Sequence, residues 1–129
     1  MRVFKGKAFA RFARKERIPD RTLCAATDTT NKGLIDADLG GGVIKQRIGR
    51  PGEGKSGGYR SIILFRREDK AFFVHGFAKS AVANLEPNEL KAFKLLAGEM
   101  LRYDQGALAK ALGNGTLIEV ICNGDQDLS

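Results

Sequence analysis

A glycine-rich segment between two strand-like stretches is the feature that most constrains this sequence. Residues 49–58 include five glycines and Pro51. In residues 43–48, before it, successive side chains alternate between the two faces expected of a strand. Residues 59–65, after it, form a largely apolar, β-branched run. A period of two is typical of strands, and a glycine-containing link suits two antiparallel neighbours. The pattern therefore predicts a hairpin here.

The same segment matches the nucleotide-binding pattern G-x-x-x-x-G-K-[ST] at residues 49–56. In a true phosphate-binding loop a helix follows, and its N-terminus faces the phosphates. Here a strand-like run follows, and the strand before the loop carries Lys45, Gln46 and Arg47, which is too polar for the centre of a parallel sheet. We interpret the segment as a hairpin loop, or as a basic loop that lies along a polynucleotide backbone.

The remaining patterns predict a single domain over residues 1–129 with an α+β fold. Its sheet is small, twisted and mostly antiparallel, with two N-terminal helices packed on one face and a C-terminal helix completing the core. The predicted strands are a short edge strand at 2–4, a meander over 43–48, 59–66 and 71–77, and a last strand at 116–122. The predicted helices cover 8–15, 20 to about 27 with Asp20 as N-cap, 87–103 with Pro87 in the first turn, and 107–112.

Charge is distributed unevenly along the chain. The net charge is +7, and it divides into +9 over residues 1–70 and −2 over residues 71–129. A surface of this kind attracts anions, most commonly nucleic acid and otherwise an acidic protein. The N-terminal helix is also basic, and we read it equally as a solvated or a partner-binding helix.

Basic residues are concentrated in and around the predicted hairpin. Between positions 45 and 67 there are seven basic side chains and one acid, Glu53. A solvated sheet face would mix the two signs, because like charges opposite one another repel. The cluster therefore predicts an anion-binding surface, made of Lys45, Arg47, Arg50, Lys55, Arg60, Arg66 and Arg67.

Several classes of protein are disfavoured by composition. The two cysteines, Cys24 and Cys122, are far apart, and His75 is the one histidine, so no ordinary metal-ligand set is available. We expect both cysteines to be small buried hydrophobic residues and expect no metal or cofactor. Apolar runs are too short to span a bilayer, and the N-terminus has no secretory pattern, so we expect a cytoplasmic protein without membrane contact.

Three short stretches, in this order, resemble the RelE/ParE superfamily of toxins from type II toxin-antitoxin systems. They are D-L-G-G-G at 38–42, G-K-S-G-G-Y-R at 54–60 and H-G-F-A-K-S at 75–80. The resemblance covers about residues 5–103 and is strongest to the RelE-like branch described as HigB-like. Ribonuclease members of that family cut messenger RNA in the ribosomal decoding site, with clustered basic residues in place of a metal.

The resemblance assigns roles residue by residue. Lys45 and Arg47 resemble the alternating basic pair before the Gly-Tyr-Arg turn, Arg60 resembles the arginine of that turn, and Lys79 resembles the basic residue after the meander. A tyrosine that some members carry shortly afterwards is absent here. The general acid is then His75 or Tyr59, and the base is Lys45 or Lys79. A lysine base requires a pKa well below the usual ~10.4, which crowding by other cations favours.

The expected function is therefore that of a toxin with metal-independent, ribosome-dependent endoribonuclease activity on messenger RNA, which inhibits translation. Arg50, Lys55, Arg66 and Arg67 are the expected RNA-binding residues. The expected partners are the ribosome, messenger RNA and a cognate antitoxin, commonly of the helix-turn-helix type. The antitoxin would cover either the Lys45/Arg60 face or the basic N-terminal helices. The alternatives are a gyrase-inhibiting toxin of the ParE kind, without nuclease activity, and a plain RNA-binding module.

Overall fold

The computed structural model describes residues 1–50, 54–78 and 85–122, and for Arg50 and residues 54–57 it describes the backbone alone. Six strands and four helices follow one another along these parts of the chain. In order they are β1 (Arg2–Gly6), α1 (Lys7–Lys15), α2 (Asp20–Asn31), β2 (Ala37–Gly40), β3 (Val43–Arg50), β4 (Gly54–Arg66), β5 (Lys70–Ala78), α3 (Pro87–Met100), α4 (Gln105–Gly113) and β6 (Leu117–Val120).

The strands form one sheet in the order β2-β3-β4-β5-β1-β6. All neighbouring pairs are antiparallel except β1 and β5, which are parallel. The expected edge position of residues 2–4 is wrong, because β1 lies between β5 and β6. Val3 and Phe4 are 3% and 0% exposed, so this strand is buried on both faces, which is the property of an interior strand.

Each face of the sheet carries its own apolar core. On one face α1 and α2 pack against side chains such as Ile48, Ile63 and Phe73. On the other face α3 and α4 pack against side chains such as Ile62 and Phe72. We name these the α1 face and the α3 face. The predicted α+β class, with both N-terminal helices on one face, is confirmed.

A β-bulge in β5 decides which face its second half presents. The register pairs Ile63 with Phe73 but Ile62 with His75, so Val74 is an extra residue. Without the bulge, His75 would share the α1 face with Phe73, because alternate residues share a face. With it, His75 lies on the α3 face.

The same bulge determines the face on which Gly76 lies. It lies on the α1 face, where a Cβ would fall 3.0 Å from the Phe9 ring and closer still to the ring of Phe12. Real Cβ atoms do not approach other atoms so closely, so the close packing of α1 on β5 requires glycine at this position.

Several helix and loop boundaries differ from expectation. Asp20 is the first residue of α2 rather than its N-cap, which is Pro19, and α2 continues to Asn31. The Asp20 carboxylate instead accepts hydrogen bonds from Lys5 Nζ at 3.0 Å and from the Ile121 backbone N–H at 3.1 Å. The expected ten-residue loop is mostly strand, since β3 extends to Arg50 and β4 begins at Gly54. The expectation of Pro87 in the first helical turn is confirmed.

The two cysteines form a disulfide, so the expectation of isolated, buried hydrophobic cysteines is wrong. Cys122 is exposed and Cys24 is partly buried, and their Cα atoms are 5.3 Å apart, within the usual bridging range. Pairing of β6 with β1 brings residues 121–122 next to α2. The sequence pattern missed this bond because the pairing partner, 98 positions away, is set by sheet topology.

A bidentate ion pair also fixes β6 to β1. Arg2 Nε and Nη2 donate to the two carboxylate oxygens of Glu119 at 2.9 and 2.8 Å, and this hydrogen bonding raises the pKa of Arg2.

Within the described parts of the chain, no helix has the length and apolar character needed to cross a membrane.

Candidate functional site

Four cationic or titratable side chains share one part of the α3 face, on β3, β4 and β5. Strand alternation places Lys45 and Arg47 there together with their apolar neighbour Val43, as predicted. Arg60 lies on the same face of β4, and the bulge adds His75 from β5. We call Lys45, Arg47, Arg60 and His75 the basic face.

Strand register arranges the basic face in two rows across three strands. Arg47 is directly opposite Arg60. Lys45 is opposite Ile62, which is opposite His75, so these two are separated by two strand spacings of ~4.8 Å each. The four side chains therefore lie within two strand spacings of one another across the sheet.

The direct pairing of two arginines is unfavourable for folding. Opposed residues of an antiparallel pair have Cα atoms ~4.5–5.5 Å apart, and like charges at that separation destabilise the sheet. Among the described residues, no carboxylate lies within 4.0 Å of the cationic groups of Lys45 or Arg47. Within the described part of the chain, Lys45 and Arg47 thus carry positive charge without a carboxylate partner, which an anion can neutralise.

Arg60 has a defined orientation. Its Nε lies 3.2 Å from Asp36 Oδ2, and its side chain is 16% exposed. Its Nη1 is buried and has no hydrogen-bond partner among the described residues. One side of the guanidinium is therefore held by Asp36, while the Nη1 end keeps unused hydrogen-bonding capacity.

Aromatic rings lie beside the cations. The His75 ring is 5.7 Å from that of Phe77 and 6.0 Å from that of Phe93 on α3, measured between ring centroids. Phe77 is directly opposite Arg60 in the sheet and is partly exposed. The basic face therefore combines positive charge with rings that remain in part accessible to solvent.

Tyr59 lies away from this group. It is 3% exposed on the α1 face, where its ring meets the Phe12 ring edge to face at 5.5 Å. Its hydroxyl donates a hydrogen bond to Glu16 Oε1 at 2.7 Å. The structure therefore does not bring Tyr59 together with Lys45, Arg47 and Arg60.

Two of the expected RNA-binding residues, Arg66 and Arg67, lie apart from the basic face. Arg66 and Arg67 are exposed near the turn between β4 and β5, and Arg66 pairs with Asp69 at 3.5 Å. Arg66 is six positions from Arg60 along β4, a distance of ~20 Å. The side chains of Arg50 and Lys55, and the whole of Lys79, lie outside the described residues.

Two residues of the site were not predicted. The sequence indicates a solvated turn residue at Asp36 and a core residue at Phe77, and Phe77 does pack against the core of the α3 face while it stays partly exposed. The contact of Asp36 with Arg60 depends on the path of the chain from α2 into β2, for which the sequence gives no local signal. Phe77 had one signal, its position between His75 and Lys79 at the end of a strand.

The described residues contain no group of three or more His, Cys, Asp or Glu side chains placed to hold a metal ion. What the basic face offers instead is fixed positive charge, hydrogen-bond donors and one imidazole. Such a set can bind a phosphodiester, stabilise charge that develops on it and exchange protons with it.

Comparison with known proteins gives one assignment. The family model described as the RelE toxin of the RelE/RelB toxin-antitoxin system matches residues 1–120, which include every described strand and helix. No curated protein matches the chain. Because the family model covers nearly the whole sequence, this chain belongs to the RelE toxin family.

Proposed function

We propose that this protein is a toxin that cleaves messenger RNA on the ribosome without a metal, and that it belongs to the HigB-like branch of its family. The observation that carries the proposal is the grouping of Lys45, Arg47, Arg60 and His75 on one face of three adjacent strands. The branch assignment is supported by the order of the three motifs at 38–42, 54–60 and 75–80.

The proposed reaction uses the nucleophile of the RNA itself. The 2′-hydroxyl attacks the adjacent phosphorus, a bond to phosphorus forms, and the bond to the 5′-oxygen of the next nucleotide breaks. A base takes the 2′-hydroxyl proton, and an acid protonates the leaving oxygen. The products are a 2′,3′-cyclic phosphate and a 5′-hydroxyl, with no water or metal consumed in the step.

The side chains divide naturally among these tasks. Arg47 and Arg60 face one another, and their planar forks suit the non-bridging phosphate oxygens, where negative charge grows. Lys45, on β3, is the base candidate, and His75, on β5, is the acid candidate. We assign them different roles because they lie on opposite sides of Ile62, which is on β4 between them. Lys79 remains a second base candidate from the sequence.

Asp36 and Phe77 take supporting roles in this proposal. Asp36 holds Arg60 at Nε, which orients the guanidinium before RNA arrives and reduces the entropy lost on binding. The partly exposed Phe77 ring next to Arg60 provides a surface on which an unpaired RNA base can stack.

The test is cleavage of a reporter messenger RNA during translation in a reconstituted system, with the cut sites mapped by primer extension. Wild-type protein should cut the message, and Arg60→Gln and Lys45→Gln should each cut at least about a hundredfold more slowly. Lys110→Gln, an exposed lysine on α4, is the matched control and should cut normally. An intact message with wild-type protein would overturn the proposal. If the message stays intact and the protein instead inhibits gyrase, the ParE-like alternative is favoured.

A further inference from the structure

Gln46 is a buried polar side chain to which the proposed reaction gives no task. It lies on β3 between Lys45 and Arg47 but on the opposite face of the sheet, which it shares with Ile44 and Ile48. It is 4% exposed. Burial of a carboxamide is costly unless its donors and acceptors are satisfied, so its partners indicate what it holds in place.

The Gln46 carboxamide makes three hydrogen bonds. Its Nε2 donates to Thr30 Oγ1 at 2.9 Å and to the Leu34 carbonyl oxygen at 2.7 Å. Its Oε1 accepts from the Arg47 backbone N–H at 2.9 Å. These partners fix the orientation of the amide, because a flipped carboxamide would turn its oxygen toward the Leu34 carbonyl and its N–H groups toward the Arg47 N–H.

Two of these bonds connect β3 with the end of α2 and the segment that follows it. Thr30 is in the last turn of α2, and Leu34 comes two residues before Asp36. An open groove of about 740 Å³ lies between α2 and β3, and Gln46 is one of the residues that line it. The carboxamide therefore ties the chain at Leu34 to β3 beside an open space, and this sets the position of Asp36.

The third bond holds the backbone of Arg47. β2 pairs with β3 from Val43 to Lys45, and beyond Lys45 no other strand among the described residues pairs with that edge. An edge N–H without a strand partner is usually left to solvent. Here the Gln46 side chain supplies the acceptor, so Arg47 projects from a backbone that is fixed at its own N–H.

We propose that Gln46 is a positioning residue that couples the two arginines of the basic face, a role that rests on the proposed function. It fixes Arg47 directly, through the backbone N–H. It fixes Arg60 indirectly, since the chain it holds at Leu34 leads to Asp36. The Asp36 Oδ2 in turn lies 3.2 Å from Arg60 Nε. One buried side chain on the far face of the sheet thus sets both guanidinium groups.

Loss of this coupling should affect the chemical step more than RNA binding. Placement of the guanidinium groups matters most where charge develops on the phosphate, whereas attraction of RNA depends on net positive charge. Gln46→Met keeps the length of the side chain and its neutrality but removes all three hydrogen bonds. It should lower kcat for cleavage in reconstituted translation about tenfold to a hundredfold, with KM within about twofold of wild type.

Two threonines of α2 separate positioning from stability. Thr30 and Thr27 are 1% and 3% exposed, and each hydroxyl donates to the carbonyl oxygen four residues earlier. The Thr30 hydroxyl also accepts the bond from Gln46. Thr30→Val and Thr27→Val should both lower the urea midpoint, but only Thr30→Val should lower kcat, about threefold to tenfold. Thr30→Ser keeps the hydroxyl and should restore kcat. A fall in kcat with both valine variants, or with neither, would overturn the inference.

A measurement on the free toxin tests the coupling without any cleavage. The Arg60 Nε–H signal in ¹⁵N spectra, assigned by its loss in Arg60→Gln, should exchange with solvent at least about fivefold faster in Gln46→Met. Asp36→Asn is the positive control, and Thr27→Val should match the wild type. Thr30→Val should also speed the exchange, so the test does not depend on the folding of Gln46→Met. Wild-type exchange in Gln46→Met or in Thr30→Val would overturn the inference.

Failure of this inference is distinguishable from failure of the proposed function. If wild-type protein cuts no message, the proposed function is lost, while exchange of the Arg60 Nε–H still decides whether Gln46 sets the arginine pair. If wild-type protein cuts the message and both Gln46→Met and Thr30→Val keep full kcat, the proposed function stands and the inference is lost.

Discussion

Asp36 Oδ2 lies 3.2 Å from Arg60 Nε, and this ion pair connects the segment before β2 with β4, across the intervening strand β3. Arg60 is also directly opposite Arg47, so Asp36 supplies a negative charge next to two adjoining arginines. It leaves the Arg60 Nη1 without a partner among the described residues. We regard Asp36 as a positioning residue for the arginine pair.

The first prediction follows from this ion pair. Asp36→Asn should lower kcat for messenger RNA cleavage about tenfold to a hundredfold, because the guanidinium loses its fixed orientation. KM should change much less, since the net positive charge that attracts RNA is not reduced. Asp28→Asn, an exposed residue on α2, makes the same change in net charge and should leave kcat unchanged. Equal kinetics for the two variants would contradict the role given to Asp36.

A second prediction separates the two candidates for the general acid. Tyr59→Phe removes the hydrogen bond to Glu16 on the α1 face and should lower the free energy of unfolding by about 1 kcal/mol. Its cleavage rate should stay within about twofold of wild type. His75→Ala should lower the cleavage rate at least about a hundredfold. Cleavage assays and urea denaturation of both variants check this, and a large loss of rate in Tyr59→Phe would return Tyr59 to the site.

A third prediction concerns Gly76. Gly76→Ala should destabilise the fold by about 1–3 kcal/mol, because its methyl group would collide with the rings of Phe9 and Phe12. Gly98→Ala is the control, since a Cβ at Gly98 on α3 meets nothing within 4 Å and alanine favours helix. It should stabilise the protein by up to about 1 kcal/mol. Urea midpoints that place Gly76→Ala at or above wild type would contradict the packing described for α1.

A fourth prediction concerns the disulfide. The Cys24–Cys122 bond joins residues 98 positions apart, and a closed loop of that length restricts the unfolded chain strongly. Reduction should therefore lower the free energy of unfolding by several kcal/mol, up to about 5 on the chain-entropy estimate. The double variant Cys24→Ser/Cys122→Ser should match the reduced protein. An unfolding midpoint that is the same with and without reductant would show that the bond does not form in solution.

The sequence predicts those parts of the fold that depend on local patterns. Period-two alternation predicts the hairpin and places Lys45 and Arg47 on one face, and both predictions are confirmed. The β-branched run after the glycine-rich segment correctly argues against a helix there, since β4 begins at Gly54. These features are readable because each is determined by neighbours within a few residues.

The remaining features depend on residues that are distant in sequence. The bulge at Val74 moves His75 to the α3 face and leaves Gly76 under α1. No residue pattern in the strand predicts this bulge. The interior position of β1 and the Cys24–Cys122 bond both follow from the parallel pairing of β1 with β5 and the return of β6. Such pairings are decided by the packing of the whole sheet, so a single sequence does not reveal them.

The central claim is that the basic face cleaves messenger RNA by activating the 2′-hydroxyl of the RNA on the ribosome. The most direct measurement is the end chemistry of fragments produced in a reconstituted translation reaction, alongside the same message without ribosomes. The account predicts 2′,3′-cyclic phosphate and 5′-hydroxyl ends with ribosomes, and an uncut message without them. Fragments with 3′-hydroxyl and 5′-phosphate ends, or equal cutting of free messenger RNA, would contradict it.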